Sequence, residues 1–251
     1  MQVQIFENYD TLSDQLADRI IALVKKNPAS VLCLAAGDTP RLAYQLISKK
    51  ANTQKIDFTK CTFIGLDEWV GIPPENEGSC HFFLQANLFE PLSIGAAQVH
   101  LFDALTPNLE EACRQMDAII TKAGGIDCMV VGIGMNGHIG FNEPGVDFSL
   151  RSHVIHLDEN TRQVGQKYFA QKTRLEKGIT LGLQHLLQSK EAILIANGKK
   201  KAEIIRLAIE SPVQSSVPAS IMQTHPNGWV MIDKEASSLL QKHSSIANEN
   251  Q

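Results

Sequence analysis

Ile126-Asp127-Cys128-Met129-Val130-Val131-Gly132-Ile133-Gly134-Met135-Asn136-Gly137-His138-Ile139-Gly140-Phe141-Asn142-Glu143-Pro144-Gly145 is the stretch around which the chain is organised. Its opening, Ile126 to Val131, is a short apolar run of the kind that becomes a buried parallel strand. The glycine-rich segment therefore leaves a strand's C-terminal end, the edge of an open α/β sheet where loops converge on a ligand crevice. Five glycines between Gly132 and Gly145 let the backbone approach a ligand closely. Asn136, His138, Asn142 and Glu143 supply polar side chains. The segment reads as an active-site loop. Imidazole exchanges a proton near neutral pH, and a carboxylate beside it fixes its tautomer and raises its basicity, so His138 and Glu143 are the first candidate pair. The glycine spacing fits neither a dinucleotide fingerprint nor a Walker loop, and no Lys-Ser/Thr follows.

Outward from this loop, apolar runs alternate with helical patterns. Val3–Phe6, Val31–Ala36, Cys61–Leu66, His153–Leu157, Ile179–Leu183, Ala192–Ala196 and Trp229–Asp233 read as strands or buried segments. Leu12, Leu16, Ile20, Leu23 and Val24 recur with helical spacing, behind an expected capping box at Thr11-x-x-Asp14, and this helix ends near Asn27-Pro28. Leu42, Ala43, Leu46 and Ile47 form the stripe of a second helix, with Thr39 expected at its N-cap and Pro40 at its first position. Thr106-Pro107 opens another helix through Lys122, and His81 to Phe89 suggests one flanking the cleft. The alternation predicts a single α/β domain over residues 1–251, Rossmann-like and doubly wound: a mainly parallel sheet with helices on both faces, in three layers. A polar tail begins at about residue 236.

Two further segments end strands. Gly37-Asp38-Thr39-Pro40 is a small turn at a helix N-terminus, where free N–H groups favour a phosphate; a plain βα turn fits it equally. Asp67-Glu68-Trp69 ends the run from Cys61. Mutual crowding raises one of these two carboxyl pKa values, which suits a general base, while the other is expected to cap the segment that follows. Lys199-Lys200-Lys201 follows a glycine at another helix start, where a lysine can pair with phosphate. His153 and His156 are read as solvated or interfacial, and Lys167 is within reach of an anion.

Composition narrows the class. The chain has 251 residues, 43% hydrophobic and 20% charged, and a net charge of −4. These values describe an ordinary globular protein and argue against nucleic acid as a partner. No apolar run reaches a membrane span, so no membrane partner is expected. The N-terminal residues lack a basic region followed by an apolar block. Five scattered cysteines without CxxC spacing favour reduced thiols and no metal site. A cytoplasmic location is expected.

Together, Leu66-Asp67-Glu68-Trp69-Val70-Gly71, the Gly132 to Gly145 loop and Gly37-Asp38-Thr39-Pro40 resemble the glucosamine-6-phosphate deaminase/isomerase family over nearly the whole chain. The Phe141-Asn142-Glu143-Pro144 continuation distinguishes the loop from that of the related 6-phosphogluconolactonases. The resemblance implies deamination of glucosamine 6-phosphate to fructose 6-phosphate and ammonia, with no cofactor. His138, held by Glu143, would open the sugar ring, and Asp67 would move the C2 proton to C1. Phosphate would sit on Gly37, Asp38 and Thr39, with Lys167 and Lys201 as cations, and Glu68 and Gly137 count among the substrate-facing residues.

Departures accompany the resemblance. Asn136 stands where many members have Asp; it can orient the site but cannot ionise. Asp38 puts an anion in the phosphate turn, which repels phosphate unless it points away. Lys167 replaces an Arg, giving a point charge for a fork. Val146, Asp147, His153 and Ile155 do not match the cluster that binds an allosteric amino-sugar phosphate in some hexamers, so no such activation is expected. Trp69 and Gly78-Ser79-Cys80 resemble members assigned to the galactosamine epimer, which would give tagatose 6-phosphate. Lactone hydrolysis, a catalytically dead sugar-phosphate binder and a regulatory sensing domain are the other readings. The family includes monomers and homo-oligomers.

Overall fold

A computed structural model describes residues 1–241; the outer part of the expected polar tail lies outside the described residues. Ten strands and seven α-helices follow one another along this stretch. They begin with β1 (Gln2–Phe6), α1 (Tyr9–Lys26), β2 (Val31–Leu34), α2 (Asp38–Gln54), β3 (Thr62–Ile64) and β4 (Asp67–Trp69). Next come α3 (Cys80–Leu84), running into a π-helical turn Gln85–Phe89, then β5 (Val99–His100), α4 (Leu109–Lys122) and β6 (Cys128–Gly132). The series continues with β7 (His153–His156), α5 (Glu159–Gly165), β8 (Lys177–Thr180), α6 (Leu183–Gln188), β9 (Ala192–Ala196), α7 (Ala202–Glu210) and β10 (Gly228–Asp233).

Seven strands form one parallel sheet in the order β1-β10-β9-β6-β2-β3-β5. From β2 the chain builds outward through β3 to β5. From β6 it builds the other way, through β9 to β10. The β2–β6 junction is thus the topological switch point, and the loops leaving these two strands part there and leave a crevice.

Strand alternation explains the two apolar layers. Leu32, Leu34, Val130, Ile193 and Ile195 face one side and pack with Leu12, Leu16 and Ile20 of α1 and Ala43, Tyr44 and Ile47 of α2. Val31, Cys33, Met129, Val131 and Leu194 face the other, against Cys113, Met116 and Ile120 of α4 and Ile204, Ile205 and Ala208 of α7. Each fully buried Leu or Ile contributes about 1.5–3 kcal/mol of transfer free energy. Tyr44, wholly buried, keeps its hydroxyl satisfied by donating to the Ala35 carbonyl at 2.6 Å. The expected α/β fold with helices on both faces of a mainly parallel sheet is the fold observed.

Local details differ from expectation for physical reasons. The capping box of α1 is Asn8 with Thr11, not Thr11 with Asp14: Asn8 Oδ1 accepts the Thr11 N–H, and Thr11 Oγ1 accepts the Asn8 N–H. In α2 the N-cap is Gly37 at φ 123°, so the helix starts at Asp38 and Pro40 lies in its third position. Helix α4 starts at Leu109 behind an Asn108 cap that accepts the Glu111 N–H, not at Thr106-Pro107. The segment from Asp67 to Trp69 is itself a strand. It belongs to a second, antiparallel sheet in the order β4-β8-β7, so the Ile179 run does not join the main sheet. Trp69, Ile72, Phe141, Leu157 and Leu175 form a small separate core beneath this sheet. Phe141 packs against Trp69 at a tilt, with ring centroids 4.5 Å apart, which ties the glycine-rich loop to the second sheet.

Among the described residues, no helix is long and apolar enough to cross a membrane.

Candidate active site

The crevice at the switch point is a cleft of about 650 Å3. The second sheet and α5 wall one side of it, and the loops after β2, β6 and β9 wall the other. Asp67, Asn136 and His138 line it together with Gly37, Asp38, Thr39, Lys167 and Lys201. Eight of the residues expected from sequence therefore meet in one cavity. The remaining three, Glu143, Glu68 and Gly137, stand behind its wall.

Glu143 lies directly beneath His138. The turn from Gly134 to Gly145 folds the loop back so that His138 Nδ1 lies 3.2 Å from Glu143 Oε2. Thr161 Oγ1 approaches the same nitrogen at 3.1 Å. With Nδ1 held, Nε2 is the nitrogen available to the cleft. Asn136 donates from Nδ2 to Glu143 Oε2 at 2.8 Å and accepts the His138 N–H at 3.3 Å, so it fixes both ends of the pair. Burial opposes ionisation of Glu143, which is 4% exposed, but hydrogen bonds from His138, Thr161 and Asn136 outweigh it and hold the carboxyl below its ordinary value. The imidazole ring lies over Gly134, where an added Cβ would come within 2.3 Å of it. No larger residue leaves the ring in place.

Asp67 enters from β4, whose alternation sends Asp67 and Trp69 toward the cleft and Glu68 away from it. Burial first, then the neighbouring Glu68 charge, push the Asp67 carboxyl up to about 7, while a hydrogen bond from the Cys80 thiol pulls it partly back. Glu68 instead accepts the Trp69 and Cys80 N–H groups on Oε1 at 2.9 and 3.0 Å and that of His81 on Oε2 at 2.8 Å. It is the carboxylate that caps the following segment, the first turn of α3. Burial raises its pKa, and these N–H groups restrain the rise. Glu68, expected from sequence among the substrate-facing residues, does not line this cleft, because the strand turns it toward the start of α3. Gly137 also stands off: at φ 87° it makes a turn packed against Val217 and Ile204, and its carbonyl accepts the Ala219 N–H at 2.8 Å.

At the far end, Gly37 opens α2 without any side-chain cap. Lys167 and Lys201 face this end from opposite sides of the cleft. Lys201 donates to the Ile133 carbonyl, and burial, followed by the charge of Lys167, lowers its pKa to about 8. Lys167 meets Asp38 at 2.8 Å. Thr39 donates to Asn197 Oδ1 at 3.1 Å. Cys80, which the sequence reading noted only for the substrate epimer, lines the cleft as well, and so do Thr161 and Tyr168, to which that reading gave no site role. Among the described residues, no group of three or more His, Cys, Asp or Glu is placed to hold a metal ion.

A cleft with a raised carboxyl on one wall, an oriented imidazole on the other and two lysines at one end can move protons on a bound anion. The profile of the family described as glucosamine-6-phosphate isomerases/6-phosphogluconolactonase matches residues 7–231. A glucosamine-6-phosphate deaminase of Thermoanaerobacter pseudethanolicus is 37% identical over 96% of this chain and 95% of its own. The structure of a monomeric glucosamine-6-phosphate deaminase superposes with a TM-score of 0.92 at 34% identity, over 95% of this chain and 100% of that one. A 6-phosphogluconolactonase from Leishmania guyanensis shares the fold with a TM-score of 0.78 at 17% identity, over 96% of this chain and 98% of that one. The chain belongs to the glucosamine-6-phosphate isomerase/6-phosphogluconolactonase family.

Proposed function

We propose that this protein deaminates and isomerises glucosamine 6-phosphate, giving fructose 6-phosphate and ammonia. The observation that carries the reading is the meeting of Asp67 with the His138–Glu143 pair in one cleft whose far end holds Lys167 and Lys201. Relatives at 34–37% identity named as deaminases support it.

The substrate phosphate docks at the start of α2 between Lys167 and Lys201, and the sugar lies toward Asp67. His138 Nε2 moves the proton from the anomeric hydroxyl to the ring oxygen, which opens the ring. Glu143 stabilises the charged imidazole while this happens, and Asn136 keeps Glu143 aligned. Asp67 removes the C2 proton to give an enolamine and returns a proton at C1, leaving an imine at C2. Water adds to C2, ammonia leaves, and the ketose phosphate remains. A carboxyl with a pKa of about 7 suits both halves of this transfer, because it accepts and releases a proton near neutral pH. Hydrolysis of a lactone would use His138 but would give Asp67 no proton to move. The solved deaminase to which this chain is similar is monomeric, and we infer the same state here.

Ammonia release tests the reading. The protein should release ammonia from glucosamine 6-phosphate faster than from galactosamine 6-phosphate, and should leave 6-phosphogluconolactone intact. Lactone hydrolysis without ammonia release would replace the reading with the lactonase one, and faster release from the galactosamine epimer would exchange the substrate.

A further inference from the structure

Asp38 has no task in this chemistry, yet its placement is specific. It is the first residue of α2, and its carboxylate bridges two cations at the phosphate end of the cleft: Oδ2 takes Lys167 Nζ at 2.8 Å, and Oδ1 meets the Arg41 guanidinium at 3.3 Å. Lys167 belongs to the 3-10 turn Gln166–Tyr168 after α5, so the ion pair joins the two walls. The backbone beneath Asp38 is pinned. Tyr9 Oη is within 3.1 Å of the Asp38 carbonyl and 3.0 Å of the Thr39 carbonyl, and it accepts the Leu42 N–H at 3.2 Å. Asp38 can therefore withdraw only by turning its side chain, which is 57% exposed. Lys201, the other lysine, is bonded to a neutral carbonyl. Of the two lysines facing the phosphate end, one already holds an anion, and that anion is the protein's own.

Resting on the sugar-phosphate reading above, we propose that Asp38 is a built-in competitor for the substrate phosphate, occupying Lys167 in the free protein and yielding it when phosphate arrives. An exposed ion pair is weak, so the exchange is easy. The carboxylate nevertheless stays on the same helical turn and repels the dianion that replaces it. Asp38 thereby sets the affinity of the phosphate end below what α2 and the two lysines would otherwise provide.

Calorimetric titration with inorganic phosphate, on the native protein, Asp38→Ser, Lys167→Gln and the double variant, tests this without relying on turnover. Asp38→Ser should tighten phosphate binding about fivefold. Lys167→Gln should weaken binding several times more in the Asp38→Ser background than in the native one, because only there is the lysine free of a competing carboxylate. Unchanged or weaker binding by Asp38→Ser overturns the proposal. So does an equal loss from Lys167→Gln in both backgrounds, or no phosphate binding by any of the four proteins. Ammonia release by the same proteins keeps the two readings apart. Tighter phosphate binding without ammonia release would leave Asp38 as competitor and remove the deaminase, and ammonia release without tightening would do the reverse.

Discussion

His138 and Glu143, five residues apart in one glycine-rich loop, meet through Nδ1 and Oε2 at 3.2 Å. Glu143 is almost wholly buried and its hydrogen bonds favour the ionised form, so in the proposed reaction it acts on the imidazole rather than on substrate. Glu143→Gln keeps the shape and removes the charge. We expect kcat to fall about 100-fold with KM nearly constant. Steady-state kinetics decide this, and a fall in kcat/KM caused by KM alone would contradict the assignment.

Gly134 leaves room for the same ring. An added methyl would come within 2.3 Å of the imidazole, whose rotation is the way to relieve the clash. Gly134→Ala should therefore lower kcat roughly 10- to 100-fold through misplacement of a proton-transfer group, with little loss of melting temperature. A fully active variant would show that the ring position is not critical.

Asp67, with a pKa of about 7, couples activity and stability to pH in opposite directions. In the proposed reaction its ionised form is the base, so kcat/KM should rise as pH increases through about 7. The folded pKa lies above the unfolded one, so the carboxyl's contribution to stability is full below about pH 4 and is lost as pH rises through about 7. Asp67→Asn should be inactive yet more stable, with an advantage on the order of 2 kcal/mol at pH 8 that shrinks toward pH 5. Thermal melts across this range check the sign.

Glu68 gathers three N–H groups behind the cleft. Glu68→Gln puts an amide NH2 where one of the two carboxylate oxygens accepts an N–H in a buried site, and should cost about 1–3 kcal/mol in urea unfolding, while KM changes little. A large rise in KM at full stability would return Glu68 to the substrate-facing set.

The sequence patterns that proved legible were local. The apolar run before Gly132 is β6, and the stripe of Leu12, Leu16 and Ile20 faces the sheet from α1. Asp67, His138, Asn136 and the two lysines meet because each follows or flanks a recognisable strand or turn. What escaped depended on distant pairing. The strand identity of Asp67-Glu68-Trp69 is set by β8, with Asp67 opposite Thr180, and three residues carry no periodicity of their own. That pairing also decides which of the two acids faces the cleft. Thr161 reaches His138 from 23 residues away, on a helix whose polar sequence marks no site. Thr39-Pro40 is a strong local signal for a helix start, but the positive φ of Gly37 overrides it and sets the start of α2 at Asp38.

The account rests on Asp67 moving the C2 hydrogen, and that hydrogen can be followed. Glucosamine 6-phosphate deuterated at C2 should lose its label from C2 on incubation with the native protein, the deuterium appearing at C1 of fructose 6-phosphate or in water by NMR. With Asp67→Asn the label should stay at C2. Label retained at C2 by the native protein, or lost equally with the variant, would contradict the account.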